Sequence, residues 1–330
     1  MRKLSIGVGW NGKNTDSVIR QAQVADEAGV DSLFVAETWG RDAFTILSLL
    51  AHHTKRIRLG TSIVNIYSRS PAALAQHFAS LDELSEGRMI IGLGTSGPNV
   101  IEHFHGVPFD RPFTRIREYI EIINGLMRGE KLHYDGHIFQ LQRGFTLRFD
   151  PFREHVPIWV ASITPKSVKQ TAAIADGWIP IFIPRSRWKQ QLDAFYDAVE
   201  SSGRTRAEVE VRCPNGVTVT DRPERAAMAR RGTAAFYIAR MGDFYYEHFC
   251  RMGYQEAADR VRAAWDEGGS RGGAAAMPEV LVDELGTAGD VDTCVEALAA
   301  AEAAGFSSHS VTVVERDEEK RAQIYERLAG

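Results

Sequence analysis

The feature that most constrains this chain is a repeated alternation. Short β-branched runs are each followed by a stretch of helical periodicity. LSIGVG (4–9) reads as a first strand, and the helix after it puts Val18, Ala22 and Ala25 on one face before Gly29 closes it. DSLFVAE (31–37) is a second strand, followed by a helix carrying Phe44, Leu47 and Ala51. IRLGTSIVN (57–65) is a third; Pro71 then opens a helix with Leu74, Phe78 and Leu81 inward, ended by Gly87. RMIIGLG (88–94) is the fourth strand, and Ile116, Ile120, Ile123 and Met127 mark the fourth helix.

The rhythm pauses at YDGHIFQLQRGFTLRF (134–149), which alternates like a hairpin. It resumes with PIWVAS (157–162), a helix to Ala175, GWIPIFI (177–183) and a helix bearing Trp188, Leu192, Phe195 and Val199. VEVRCPNGVTVT (209–220) supplies a seventh strand. A long helical stretch, with a flexible glycine-rich segment at 268–276, precedes HSVTVV (309–314) and a terminal helix. Eight such units with near-continuous apolar strands predict a parallel sheet covered by helices, and their length fits a (β/α)8 TIM barrel. No polar linker divides the chain. We therefore expect a single barrel domain over 1–330, with an insertion around 130–156 and a helical insertion around 221–285.

Composition narrows the function classes. The chain is 44% hydrophobic and 25% charged, which is globular. Its 39 Lys and Arg against 43 Asp and Glu give a net charge of −4, and so no electrostatic reason to expect nucleic acid or an anionic membrane. No stretch approaches the ~20 apolar residues of a membrane span. MRKLSIGVGWNG has too short an apolar run for a signal peptide. Cys213, Cys250 and Cys294 are unclustered, which suggests reduced thiols in a cytoplasmic protein.

In such a barrel the chemistry sits at the C-terminal ends of the strands, here the loops 9–14, 37–42, 62–70, 94–98, 162–167 and 182–187. GTSGP (94–98) has glycines and hydroxyls directly after a strand, so backbone N–H groups can approach a ligand. SITPKS (162–167) places Thr164 at a helix N-cap and Pro165 at its first position, leaving N–H groups free to attract a phosphate. The alternative is ordinary turn chemistry. There is no GxxxxGK[ST], and no GxGxxG follows the first strand, so ATP and NAD have no motif support.

Ser70-Pro71 followed by LAQHFASLDELSEGRMIIGLGTSGP (74–98), GEKLHYDGHIFQL (129–141) and ADGWIP (175–180) resembles the luciferase-like monooxygenase superfamily over nearly the whole chain. That superfamily comprises (β/α)8 barrels binding FMN or the deazaflavin coenzyme F420. AETWGRDAF (36–44), EHFHGVPFDRP (102–112) and the pair TSIVN–YSRSP (61–71) are similar to its deazaflavin-dependent branch, which includes the methylenetetrahydromethanopterin reductases. The resemblance implies a bulge with a non-proline cis peptide behind the ring system, by position at Ser62-Ile63. It also implies that Ser62, Ile63, Asn65, Thr95, Ser96, Gly97, Ser162, Ile163 and Thr164 hold the cofactor. It further implies a small-molecule substrate, no resident metal, and a homodimer or higher homo-oligomer. Two motifs depart from that branch. Its alcohol and sugar-phosphate dehydrogenases carry an Asp-His pair where this chain has Ala36-Glu37. Its tetrahydromethanopterin reductases place a glutamate where this chain has Gly7.

Glu37 ends a predicted barrel strand and is the candidate general acid, with Trp39 as the apolar wall beside it; an ion pair with Arg41 is the alternative role. Asp42 is expected as the N-cap of the second helix, and His52 and His53 as structural or exposed. Glu102, His103 and His105 match no standard zinc spacing and are expected to pack a loop. The aromatic residues of 234–265 are read as core or interface, with a substrate mouth as the lesser possibility. The leading function is hydride transfer between deazaflavin C5 and a small organic substrate, best matched by a methylene-tetrahydropterin or tetrahydrofolate. The alternatives are an FMN-dependent monooxygenase and a non-catalytic deazaflavin carrier.

Overall fold

Capping chemistry sets where the helices begin. A computed structural model describes residues 1–8 and 14–330; the expected loop at 9–13, with Gly9 of the first predicted strand, lies outside the described residues. Helix α1 (Thr15–Glu27) starts at Asn14, whose side chain accepts from Ser17 N, and Gly29 turns the chain beyond its end at φ 76°. Asp42 caps α2 (Ala43–His53) by accepting from Thr45 N, as the sequence predicts, and Ser70 caps α3 (Pro71–Leu84) with proline at its first position.

By its internal contacts the chain forms two compact units, one of residues 5–161 and 170–178, the other of 1–4, 162–169 and 179–330. In the first, β1 (Leu4–Gly7), β2 (Ser32–Val35), β3 (Arg58–Thr61), β4 (Val64–Asn65) and β5 (Met89–Gly94) all pair in parallel. A short α4 (Pro98–His103), not anticipated from sequence, and α5 (Pro112–Met127) follow. The predicted hairpin is β6 (Leu132–Asp135) and β7 (Gln140–Phe145). Its turn is fastened to α5 by the fully buried Glu118, whose carboxylate accepts from the N–H groups of His137, Ile138 and Phe139. Then β8 (Ile158–Ala161) pairs with the far side of β5.

The sheet of this unit is strongly curled. Strands β5 and β3 lie between β8 and β2, yet the rings of Trp159 and Phe34 meet with centroids 5.4 Å apart across the concave face. Glycines make the room. A Cβ on Gly60 would stand 2.8 Å from the Phe34 ring, and one on Gly177 2.5 Å from Trp159.

The third predicted strand is broken. Between the pairs Gly60↔Ile90 and Val64↔Leu93, four residue steps on one strand face three on the other, a bulge at Ser62-Ile63. Thr61 Oγ1 donates to Gly92 O (2.7 Å) and accepts from Gly92 N (2.9 Å), replacing the interrupted ladder. The expected cis peptide is corrected, however: no peptide bond among the described residues is cis. In the trans form Ser62 N donates to Val35 O and Ile63 O accepts from Glu37 N, bonds that tie the bulge to the end of β2.

Helix α6 (Pro165–Ile174) leads to β9 (Gly177–Ile179), shorter than predicted because Pro180 has no N–H to donate and Phe182 turns into the left-handed region at φ 53°. In the second unit, α7 (Trp188–Ser201) precedes β10 (Glu210–Val211) and β11 (Val217–Val219), one predicted strand that Pro214 and Gly216 interrupt. Four helices follow: α8 (Pro223–Arg240), α9 (Asp243–Arg251), α10 (Gln255–Ala276) and α11 (Glu279–Glu284). The segment at 268–276 is helical and not a flexible loop. α10 runs through it with a kink at Gly269 (φ 61°), because the alanines beyond resume the helix. Strand β12 (Thr287–Gly289), too short and glycine-rich to read from sequence, pairs with β11, whose other side takes β13 (His309–Val313). Helices α12 (Val291–Ala304) and α13 (Glu318–Ala329) start at the aspartate caps Asp290 and Asp317. The three cysteines are free thiols, and no described helix is long and apolar enough to cross a membrane.

The bulge and the curl fix one stability contrast. A Cβ on Gly92 would lie 1.8 Å from Thr61 O, whereas one on Gly232, inside α8, meets no described atom within 4 Å. Gly92→Ala is expected to cost about 3 kcal/mol or more, and Gly232→Ala to gain about 0.5–1 kcal/mol, both read by urea unfolding. A Gly92→Ala protein as stable as wild type would mean the bulge is not held as described.

Candidate active site

Strand alternation decides which way each candidate points. Phe34 faces the concave side, and the ladder continues past β2 through Ser62 N→Val35 O and Glu37 N→Ile63 O. Ala36 therefore shares the concave face and Glu37 lies on the opposite one, toward the helices. Exposure agrees. Gly7 and Ala36 are exposed, while the Glu37 side chain is only 9% exposed. On that outer side Arg69 Nη1 and Nη2 donate to the two carboxylate oxygens of Glu37 at 2.6 and 3.2 Å, and Ala43 N, at the start of α2, donates to Oε2 at 3.0 Å. Arg69 also pairs with Asp42 at 2.6 Å and lies over the Phe44 ring. Burial alone would raise the Asp42 carboxyl, but the bonds from Thr45 and the Arg69 charge outweigh it and hold Asp42 below its ordinary value.

Ser62, Ile63, Asn65, Thr95, Ser96 and Gly97 come together at the adjoining ends of β4 and β5. Asn65 pairs with Gly94, and the Ile63 side chain packs where a Gly94 Cβ would stand, 3.0 Å away. Asn65 Oδ1 accepts from Tyr67 N and Ser68 N, so its amide nitrogen faces His105 Nε2 at 3.2 Å. That network assigns His105 the tautomer with its proton on Nδ1. His105 is thus joined to the strand end and does more than pack a loop. Ser96 adopts φ 56°, and the Thr95 hydroxyl donates to its carbonyl, turning the chain into α4. Trp39 is 51% exposed, beyond the strand end.

In the other unit, Thr164 caps α6 as predicted. Ser167 N donates to Thr164 Oγ1 and Thr164 N donates to Ser167 Oγ, so the Thr164 hydroxyl serves the helix. Ser162 is buried beside it. Arg69 escaped the sequence reading although it stands in the YSRSP motif; its role needed the fold to bring it to Glu37 from 32 residues away.

The luciferase-like monooxygenase family model matches residues 5–308. The chain belongs to that family. A Mycobacterium tuberculosis protein provisionally named a coenzyme F420-dependent oxidoreductase is 34% identical over 94% of each chain. The 5,10-methylenetetrahydromethanopterin reductase of Archaeoglobus fulgidus is 28% identical over 80% of this chain and 78% of its own. Among solved structures, the coenzyme F420-dependent tetrahydromethanopterin reductase of Methanopyrus kandleri superposes with a TM-score of 0.82 at 22% identity, over 99% of this chain and 97% of that one. The expected (β/α)8 class of fold stands with the family.

Glu37, addressed by three donors on the helix side, acts in this chain as an acceptor that joins the end of β2 to Arg69 and α2. Glu37→Gln breaks a largely buried pair with a partly exposed arginine, and a loss of about 1–3 kcal/mol of stability is expected, with kcat within about tenfold of wild type. A fall in kcat of about 10²-fold or more at unchanged stability would instead make Glu37 the general acid.

Proposed function

We propose that this protein is a deazaflavin-dependent oxidoreductase that moves a hydride between coenzyme F420 and a small organic substrate, best matched by a methylene-tetrahydropterin or tetrahydrofolate. The observation that carries the cofactor is the relative matched at 34% identity over nearly all of both chains, itself named for coenzyme F420. The finer substrate choice rests on the methylenetetrahydromethanopterin reductases at 28% and 27% identity. One family model matches residues 5–308, which supports reading 1–330 as one domain.

The residues present fit a flat ring system. Gly7 and Ala36 leave the concave face open at the ends of β1 and β2, and no described atom lies within 4 Å of a Cβ on Gly7. Ile63, raised by the bulge, offers an apolar support, and Asn65 is held rigid by its two backbone bonds. In this reading the backbone N–H groups at Ser96 and Gly97 take anionic oxygens, and those at the start of α6, in the other unit, are proposed separately for the same task. When bound, the deazaflavin supplies the hydride. The protein orients both partners and, through the Asn65–His105 pair, offers an imidazole of defined tautomer beside the strand ends.

A titration with coenzyme F420 and FMN side by side tests this. Micromolar or tighter deazaflavin binding is expected, a Kd of about 1 μM being about −8 kcal/mol, with FMN much weaker. Comparable or tighter FMN binding would overturn the cofactor. Turnover of a ketone in preference to a methylene-tetrahydropterin, with reduced deazaflavin, would overturn the substrate.

A further inference from the structure

Within the second unit one imidazole holds together two strand-end loops. His248, on α9, is 1% exposed. Its Nε2 lies 3.0 Å from the carbonyl oxygen of Phe182, and the backbone carbonyls of Ile181 and Ile163 address the same ring. Its Nδ1 is buried with no hydrogen-bond partner among the described residues. The single proton must then sit on Nε2, facing the carbonyls. Burial pushes the imidazole down to about 4, so it is neutral at ordinary pH.

The carbonyls near that ring come from two loops. Ile163 follows β8 and precedes the Thr164 cap of α6; Ile181 and Phe182 follow β9. Phe182 is a bulky residue at φ 53°, a conformation that costs about 1–3 kcal/mol and persists only where surroundings enforce it. The rings of Tyr237, Tyr245 and Phe249, on α8 and α9, close on it with centroids 5.0, 6.2 and 5.7 Å away. Packing confines the Phe182 ring, and His248 fixes the direction of its carbonyl. Without the N–H, carbonyl dipoles of like orientation would face one another in an apolar shell, and the loops would part.

We infer that His248 is a positioning residue that sets the shape of the loops at 162–164 and 180–184 and, through the former, the affinity of the site for its deazaflavin. The inference rests on the reading that 162–164 contacts that cofactor. Helices α8 to α11 thereby gain a task beyond filling space.

The test compares His248→Gln, whose amide N–H can reach Phe182 O, with His248→Phe, which keeps a ring and removes the donor. At a temperature where all are folded, His248→Phe is expected to weaken coenzyme F420 binding about tenfold or more, and His248→Gln to stay within about threefold of wild type. A role in packing alone would lower the melting temperature of both and leave both affinities at the wild-type value, which overturns the inference. Should His248→Phe not fold, His248→Asn, too short to reach Phe182 O, takes its place. A wild-type chain that fails to bind the deazaflavin sinks the cofactor reading and this inference together; unaltered binding by the donor-free variant sinks this inference alone. Nitrogen-15 NMR of the imidazole gives a readout apart from binding. The Nε2–H tautomer is expected, and an Nδ1–H tautomer would overturn the assignment.

Discussion

Two hydrogen bonds between the Thr61 hydroxyl and the backbone of Gly92 carry much of what is distinctive in the first unit. They take over where the ladder between β3 and β5 stops, and they let Ser62 and Ile63 bulge without leaving buried backbone groups unpaired. Gly92 is required because the Thr61 carbonyl occupies the place of any Cβ. The neighbouring positions then fall into line: Ile63 over Gly94, Asn65 against His105, and the turn through Ser96 into α4.

The site has an inner and an outer layer with different chemistry. The outer layer is ionic: Glu37, Arg69 and Asp42 join the end of β2 to the start of α2 and to the residues just before α3. Among the described residues, the inner layer at the ends of β1 and β2 carries Gly7 and Ala36. Of the positions at which the chain departs from the Asp-His and glutamate patterns, Gly7 and Ala36 lie on the inner face and Glu37 belongs to the outer network.

Much of the fold was legible because period-2 runs and capping residues act locally. Asp42, Pro71 and Thr164 mark helix starts that were read from the few residues around them. What escaped was set by distant partners. The bonds that hold the Ser62-Ile63 bulge with a trans peptide come from Gly92 and β2, the left-handed turn of Phe182 after β9 is enclosed by rings on α8 and α9, and β12 has too little sequence to show a period. The glycines at 268–276 were misread because composition says nothing of neighbouring helices, and α8 packs along α10 and steadies it. For the site, location at the strand ends was legible, but the side of the strand was not. A residue-36 versus residue-37 distinction is lost as soon as the phase of the strand is unknown. His248 lies deeper still, since nothing in DFYYEHFCR distinguishes a loop clamp from a core histidine.

The extra residue in the third strand acts as a parity switch. Gly60 faces the concave side against Phe34, so an uninterrupted strand would continue with Ser62 and Val64 inward. Instead Gly92, the register partner of Trp159, and Gly94 two residues on define the concave face of β5, and it is Ile63 that lies across Gly94. Even-numbered residues look inward before the bulge and odd-numbered ones after it. The bulge thus turns Ile63 and Asn65, in place of Ser62 and Val64, to the concave face. A chain of this family without that extra residue would turn the side chains at positions 62 and 64 to the concave face instead.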